Sequence, residues 1–540
     1  MKKTGCLFLF LLVITVVYSQ GDRVVEPRQG WHLLDPENDG YWGISLDKAY
    51  ALLKNREPVP VIVAVIDSGI DTAHEDLRDI LWRNEKEING NGLDDDGNGY
   101  TDDVYGWNFC GSKSGENLVR NTYEVARVYH RWKAEFEGRK ANKIPADRQF
   151  LFSQWKKAAE IIHKEYEDAL KQKNGISEMH DAVILSSRII CDHLGVKEFG
   201  LRDIQSLSNA PDKRILAAVQ LWTDLFSGVD DPEAKNSRFI TELNDYVSQL
   251  DNKINRKLHE PEDFRGQLTG DSYQDIDDRF YGNNNLATGS GNHGTAVAGI
   301  IGAIRNNGTG VDGIAAPVRI MALRAVPGGD EHDKDVALAI RYAVDHGAQI
   351  INMSFGKPVS PYKRFVDDAV RYAAARGVLL VHGAGNDAKD ITKNIFYPNP
   401  VFLDGQTATN FLTVGASGDL STGGYAAPFS NYSREAVDIF APGVYIHTTA
   451  AGNGYQSSDG TSMSSPVAAG VAALLKAYFP RFTPEEIIRI IRESGKAVPS
   501  AVVLPGESDK KVSFSALSST GKVINAGEAV RLALELEKSN

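Results

Sequence analysis

Val59-Pro-Val-Ile-Val-Ala-Val-Ile-Asp-Ser-Gly-Ile70 is the stretch on which the fold turns. From Val61 to Ile66 it is an unbroken apolar run rich in β-branched residues, and it stops at Asp67-Ser-Gly. A run with no polar alternation, bounded by a turn signal, reads as a strand covered on both faces. It would deliver an Asp at its C-terminal end. Similar runs follow at Val318–Val326, Gln349–Ser354, Val378–Val381 and Phe411–Val414. Amphipathic helical spacing appears between them, at Asp335–Val344 and Val366–Ala375. Strands alternating with helices predict an α/β fold with a doubly wound, mainly parallel sheet and helices on both faces. In such sheets ligand sites gather at the C-terminal ends of the strands. Near the end, Thr483-Pro-Glu-Glu486 carries the Thr N-cap, N1 Pro and N3 Glu of a helix start, and a last helix is expected near Ala526–Glu537.

One region breaks the alternation. From about 111 to 267 the β-branched runs vanish and charge is dense. Phe152, Trp155, Ala159, Ile162, Tyr166 and Ala169 recur at intervals of three and four, as do Phe239, Leu243, Tyr246, Leu250 and Ile254. Val183–Leu194 and Ile215–Phe226 lie between them. Such stripes mark buried helix seams, so an all-α bundle of four or more helices is expected here as an insertion. The resulting division is a leader at 1–19, sheet domain at 20–110, helical insertion at 111–267 and the rest of the sheet domain at 268–540.

The whole chain has 540 residues and a formal charge of −12, with 59 basic against 71 acidic side chains. That balance disfavours sequence-independent nucleic-acid binding, which needs basic surface. Three Cys, at 6, 110 and 191, are too few for a disulfide scaffold or a four-thiolate zinc site. Met1–Ser19 has a basic start at Lys2 and Lys3. An 11-residue stretch follows, Leu7–Val17, apolar apart from Thr15, with small residues before a cleavage point after Ser19. This is the pattern of an export leader, too short for a membrane span. The mature chain is then expected without a transmembrane anchor, in a periplasmic, cell-envelope or extracellular setting. Export would leave Cys110 and Cys191 free to pair, and two free thiols are an equal alternative.

Three local sequences carry chemistry. Asp67-Ser-Gly-Ile-Asp71 ends the first strand. Asn292-His-Gly-Thr-Ala-Val-Ala-Gly299 puts His293 at the head of a small-residue helix. Asp459-Gly-Thr-Ser-Met-Ser-Ser-Pro466 sets Ser462 on a glycine-flanked turn at the start of another helix. Taken singly, each has a plain alternative: a turn, a buried or capping His, a Ser N-cap. Together, in the order Asp, His, Ser, they resemble the subtilisin-like serine peptidases, whose chain order this is. The resemblance covers roughly Trp31–Gly111 and Tyr281–Leu534, and departs mainly at Ser464-Ser465, where the family favours Ala and another small residue.

The resemblance implies a catalytic triad of Asp67, His293 and Ser462. It also implies an oxyanion donor at Asn386, within His382-Gly-Ala-Gly-Asn-Asp387. Ser354-Phe355-Gly356 and Gly383-Ala384-Gly385 would line the substrate cleft, with room for an apolar side chain. The expected activity is endopeptidase cleavage of proteins or peptides through an acyl-enzyme.

Asn89-Gly-Asn-Gly-Leu-Asp-Asp-Asp-Gly-Asn-Gly-Tyr-Thr-Asp-Asp103 is dense in oxygen ligands. Asp94, Asp96, Asn98, the Tyr100 carbonyl and Asp102 fall at positions 1, 3, 5, 7 and 9 of an EF-hand-type loop. Position 12 is Tyr105, so Asp103 is the candidate for the missing carboxylate. Hard oxygen donors favour a structural Ca²⁺. The alternative is a solvated acidic loop.

Two departures from the family stand out. His293 follows Asp67 by 226 residues because of the insertion, which is expected to flank the cleft and restrict access or select partners. Only 47 residues separate Ser19 from Asp67, leaving little room for a folding propeptide. Competing readings are a catalytically silent binding module and a calcium-dependent adhesion protein. Fluorophosphonate labelling that is lost in Ser462→Ala would discriminate against the first, and the second predicts calcium-dependent surface binding that survives Ser462→Ala.

Overall fold

Val61, Val63 and Val65 leave the strand Val61–Asp67 (β1) on one side and Ala64 and Ile66 on the other, and both sets are buried in separate apolar clusters. The strand is therefore covered on both faces, as its unalternating sequence predicts. Val318–Arg324 (below, β3) repeats the division. Its Val318, Ile320 and Ala322 join the first cluster, and Met321 and Leu323 the second. The first cluster is filled by the helices Asn292–Gly302 and Thr461–Tyr478, the second by Asp333–Asp345 and Lys363–Ala374.

The computed structural model describes residues 26–229, 231–287 and 291–539. The expected leader at 1–19 lies outside them. The described chain divides into two units. Among the described residues, the larger takes 26–124, 141–154 and 262–539; the smaller takes 125–140 and 155–261.

The larger unit holds β1, β2 (Gly106–Asn108), β3 (Val318–Arg324), β4 (Ile350–Met353), β5 (Leu379–Gly383), β6 (Phe411–Ser417) and β7 (Ile439–Pro442). Two short strands, Lys496–Ala497 and Lys522–Val523, complete a nine-stranded sheet. Its order is Lys496–Ala497, Lys522–Val523, β7, β6, β5, β4, β1, β3, β2. Every pairing is parallel except that between the two short strands. The doubly wound, mainly parallel α/β architecture is thus present. The capping box at Thr483 forms as expected: Thr483 Oγ1 accepts from Glu486 N–H at 3.2 Å and Glu486 Oε2 from Thr483 N–H at 2.8 Å.

The smaller unit is all helix, within Glu124–Phe136, Gln149–Leu194, Leu201–Gln205, Lys213–Ser227 and Asn236–Leu258. The first two of these begin in the larger unit. Its boundary is narrower than the sequence suggests: 111–124, 141–154 and 262–267 group with the sheet. Two expected helices are also one, because Gln149–Leu194 runs unbroken for 46 residues through Gly175. A single interior glycine costs about 1 kcal/mol against Ala. Ala169, Ile176, Val183 and Ile190, buried at seven-residue intervals on that helix, outweigh it. Trp222 anchors the core, with Phe199 and Phe239 edge-on at 5.2 and 5.9 Å between ring centroids.

Cys110 and Cys191 are both free thiols. Cys110 is buried in the larger unit, where burial pushes its thiol up to about 12, so it is inert. Cys191 is half-buried in the smaller unit, its Sγ near the Lys197 carbonyl at 3.5 Å.

Candidate active site

Asp67 is the last residue of β1, and its side chain is 2% exposed. His293 is the second residue of Asn292–Gly302, a helix made almost wholly of small and apolar residues. That composition allows close approach. A Cβ added to Gly294 would stand 2.2 Å from the Gly69 carbonyl oxygen and 3.1 Å from Asp67 Cβ. The helix is also buttressed by the hairpin of β8 (Ile446–Ala450) and β9 (Gly454–Ser458). Thr448 and Thr449 hydroxyls donate to the Ala296 and Thr295 carbonyls at 2.8 and 2.7 Å.

The outcome is a 2.7 Å hydrogen bond from His293 Nδ1 to Asp67 Oδ1, between residues 226 apart in sequence. A carboxylate only accepts, so Nδ1 carries the proton and Nε2 is the basic nitrogen. Asp67 Oδ1 also accepts Ser68 N–H at 2.7 Å, while the buried Oδ2 has no hydrogen-bond partner among the described residues. Burial pulls the His293 imidazolium down, but the Asp67 charge and hydrogen bond outweigh it, so the net shift is upward.

Ser462 is the second residue of Thr461–Tyr478, so its N–H belongs to the first turn, where the helix offers no acceptor. Gly460 before it adopts φ 142°, closed to most side chains. A Cβ there would meet Ser462 Oγ at 2.8 Å and Asn386 Nδ2 at 3.4 Å. Hydroxyl and amide therefore line one small space. The Asn386 amide is oriented by Thr461, whose N–H and hydroxyl donate to Asn386 Oδ1 at 2.9 and 3.0 Å. Oδ1 is thereby occupied and Nδ2 is left to donate. Thr461 also accepts Gly385 N–H at 3.0 Å, and it is a positioning residue that sequence reading missed. Among the described residues no hydrogen bond joins Ser462 Oγ to His293. Such bonds are commonly loose in substrate-free enzymes and tighten in the complex.

Pro466 sits inside the same helix. Lacking an N–H, it leaves the Ser462 carbonyl without its usual partner four residues on. Ser354 Oγ supplies one, donating to the Ser462 carbonyl at 2.9 Å. Ser465 Oγ lies 2.8 Å from Ser354 Oγ, and Ser464 Oγ donates to the Ala441 carbonyl at 2.9 Å. The hydroxyls that depart from the family habit are thus both bonded inside the core.

The six expected cleft residues divide by role. Ser354 braces the nucleophile helix, and Ala384 is fully buried in an apolar cluster. Phe355 is half-buried against the second sheet face, and its carbonyl accepts from His382 Nε2 at 2.8 Å. Burial pulls His382 down to about 4, so its ring is neutral. Gly383 faces the Thr461 carbonyl. Gly356 faces the ring of Phe396, a residue absent from the sequence reading, and Gly385 faces Asn431 Nδ2 with the same ring next to it.

The acidic loop assembles differently from the EF-hand expectation. Asp94 Oδ1 and Oδ2 accept from Asn98 and Gly99 N–H at 3.0 and 2.8 Å, and Asp96 Oδ1 from Asn98 N–H at 3.1 Å. Asp102 is turned away, accepting Gly90, Asn91 and Gly92 N–H. Asp103 is committed to Asn84, Asn98 and Tyr342. Asn98 Oδ1 accepts Tyr100 N–H at 2.8 Å, and the Tyr100 ring packs on Trp107 and Tyr342. The carboxylates that converge are Asp94, Asp96 and Glu87, with ligand atoms within 4.8 Å of one another. Glu87 precedes the loop and was not among the expected ligands. It is 7% exposed, its Oε1 accepts Asp95 and Asp96 N–H, and its Oε2 is buried without a partner. Burial pushes its carboxyl above the ordinary range. Three carboxylates, one of them orphaned, fit a hard divalent cation.

Comparison with known proteins identifies the family. The subtilase family profile matches residues 60–505. A thermophilic serine proteinase of Bacillus sp. (strain AK1) is 42% identical over 185 residues, 34% of this chain and 42% of that protein. Subtilisin Savinase of Lederbergia lenta is 34% identical over 216 residues, 40% of this chain and 74% of that protein. A solved protease structure from Pseudoalteromonas arctica aligns over 94% of this chain and 98% of its own, at 18% identity and a TM-score of 0.45. The chain spans about half the length of the first curated relatives it matches. With the family profile running through β1, the His293 helix and the Ser462 helix, this chain belongs to the subtilase family.

Proposed function

We propose that the chain is a serine endopeptidase that cleaves protein or peptide substrates through an acyl-enzyme. Two observations carry this reading: the Asp67–His293 hydrogen bond, and the small space shared by Ser462 Oγ and Asn386 Nδ2. His293 Nε2 takes the Ser462 proton as Oγ attacks the scissile carbonyl, and the imidazolium so formed is stabilised by Asp67. Negative charge develops on the carbonyl oxygen, where Asn386 Nδ2 and the Ser462 N–H donate. His293 then protonates the leaving amine, and water repeats the sequence on the acyl-enzyme. The test is hydrolysis of denatured casein by the purified chain, with loss of activity in Ser462→Ala. Casein cleavage retained by that variant would refute the reading.

A structural Ca²⁺ held by Asp94, Asp96 and Glu87 is part of the proposal. It would supply the positive charge that these carboxylates lack, fixing the loop rather than taking part in catalysis. Export is the other part, supported by the basic start and short apolar run in the sequence of residues 1–19. Among the described residues no helix is long and apolar enough to cross a membrane. Edman sequencing of the exported protein should begin at Gln20; a retained Met1 would remove the cleavage.

A further inference from the structure

β4 and β5 are hydrogen-bonded neighbours as far as the pair Met353–His382. Beyond it the two chains turn to different partners. Ser354 reaches the Ser462 carbonyl, and Ala384 N–H donates to Val414 on β6. Between the continuing segments, Phe355-Gly356 and Gly385-Asn386, lies a slot that begins beside Ser462 and Asn386. These are the two edges that the family resemblance assigns to the cleft, so the side chain of the residue whose carbonyl Ser462 attacks is expected here.

The slot already holds a side chain. A Cβ built on Gly356 would stand 2.4 and 2.7 Å from Phe396 Cε1 and Cζ. One built on Gly385 would stand 3.1 and 3.2 Å from the same two atoms. One edge of the Phe396 ring therefore lies against both glycines: Gly356 is the one whose missing Cβ admits it directly, while a Cβ on Gly385 would first meet Asn431 Nδ2 at 2.4 Å. The ring also packs against His382, 6.0 Å between centroids, which is itself fixed by its bond to the Phe355 carbonyl. Withdrawal is opposed by the backbone: Lys357 and Tyr397 exchange two 2.9 Å hydrogen bonds, pinning the residue next to Phe396 against the strand beside Gly356.

We propose that Phe396 is the specificity-determining residue of this site. It closes the slot and restricts the residue on the acyl side of the cut bond to Gly, Ala or Ser. The inference rests on the endopeptidase reading and deepens it. It replaces the expectation of room for a large apolar side chain, which counted only the small residues of the two edges.

The test uses the full chain, with active sites counted by a fluorophosphonate. Peptide anilides differing only in the residue before the cut are compared: Ala, Leu and Phe. A pocket discriminates by roughly 10- to 200-fold per methylene-sized misfit, so kcat/KM should favour Ala over Phe by about 100-fold or more. Phe396→Gly, and to a lesser degree Phe396→Ala, should reverse most of that ratio, by about 100-fold. A titratable wild-type enzyme that cuts after Phe as readily as after Ala overturns the inference alone. So does a titratable Phe396→Gly enzyme with an unchanged ratio. A chain that neither titrates nor cleaves any of the peptides fails at the endopeptidase reading itself and takes this inference with it.

Discussion

The corner around Ser462 and the loop around Glu87 are both crowded with polar atoms, yet they handle charge in opposite ways. At the corner, Asp67 is answered by His293, and Asn386 is held by two bonds from Thr461. Its donors are in place before any ligand arrives, the arrangement that lowers a barrier by electrostatic preorganisation. In the loop, Asp94, Asp96 and Glu87 converge, and among the described residues Glu87 Oε2 is buried without a partner. One region is complete as a protein structure. The other leaves a buried carboxylate oxygen without a partner, which the proposed cation would answer. Substitutions at the corner should therefore change rate, and substitutions in the loop should change stability.

The largest effect is expected for Asp67→Asn, about 10,000-fold in kcat, because the imidazole loses its tautomer and its countercharge. The pH profile gives an independent readout. The general base works when neutral, so activity rises as pH passes the raised His293 value. Without Asp67 only the lowering effect of burial remains, so the acidic limb of the kcat/KM profile should move to lower pH. A limb that stays in place would separate Asp67 from His293 in function.

Asn386→Ala should cost about 100- to 1,000-fold in kcat, the range measured for one oxyanion donor in subtilisin. Thr461→Val tests whether the donor must be aimed. A loss of about 10- to 100-fold in kcat with little change in KM is expected, restored by Thr461→Ser. Equal loss in both variants would point to packing instead of orientation.

In the loop, a chelator should lower Tm by about 5 °C or more at low free calcium. Glu87→Gln should reduce the response of Tm to added calcium, whereas Asp102→Asn should reduce it less, its carboxylate being turned to the turn at 90–92. Equal reductions would restore the EF-hand ligand set in place of the one built on Glu87.

The same contrast explains what could be read in advance. Strand runs such as Val61–Ile66 and the three short motifs are local: each residue's neighbours in sequence are also its neighbours in space. Sheet architecture and the buried helix seams were legible for that reason, whereas the pairing of Asp67 with His293, 226 residues apart, was legible only through the family resemblance of the three motifs taken together. Glu87, Thr461 and Phe396 act through partners far off in sequence or on the far side of a turn, and no periodicity marks them. Gln149–Leu194 reads as two helices because the stripes at 152–169 and 183–194 are recognised separately, and Ile176, the buried residue that joins them, stands alone between charged and polar neighbours. Asp102 fell at an EF-hand position by spacing, but spacing does not reveal that three backbone N–H groups claim its carboxylate.

The most direct measurement is peptide mapping by mass spectrometry after reaction with a fluorophosphonate. A single adduct on Ser462 is expected, forming much more slowly in Asp67→Asn and absent from Ser462→Ala. An adduct on another residue, or none in a preparation that hydrolyses peptides, would contradict a nucleophile at Ser462 activated by His293 and Asp67.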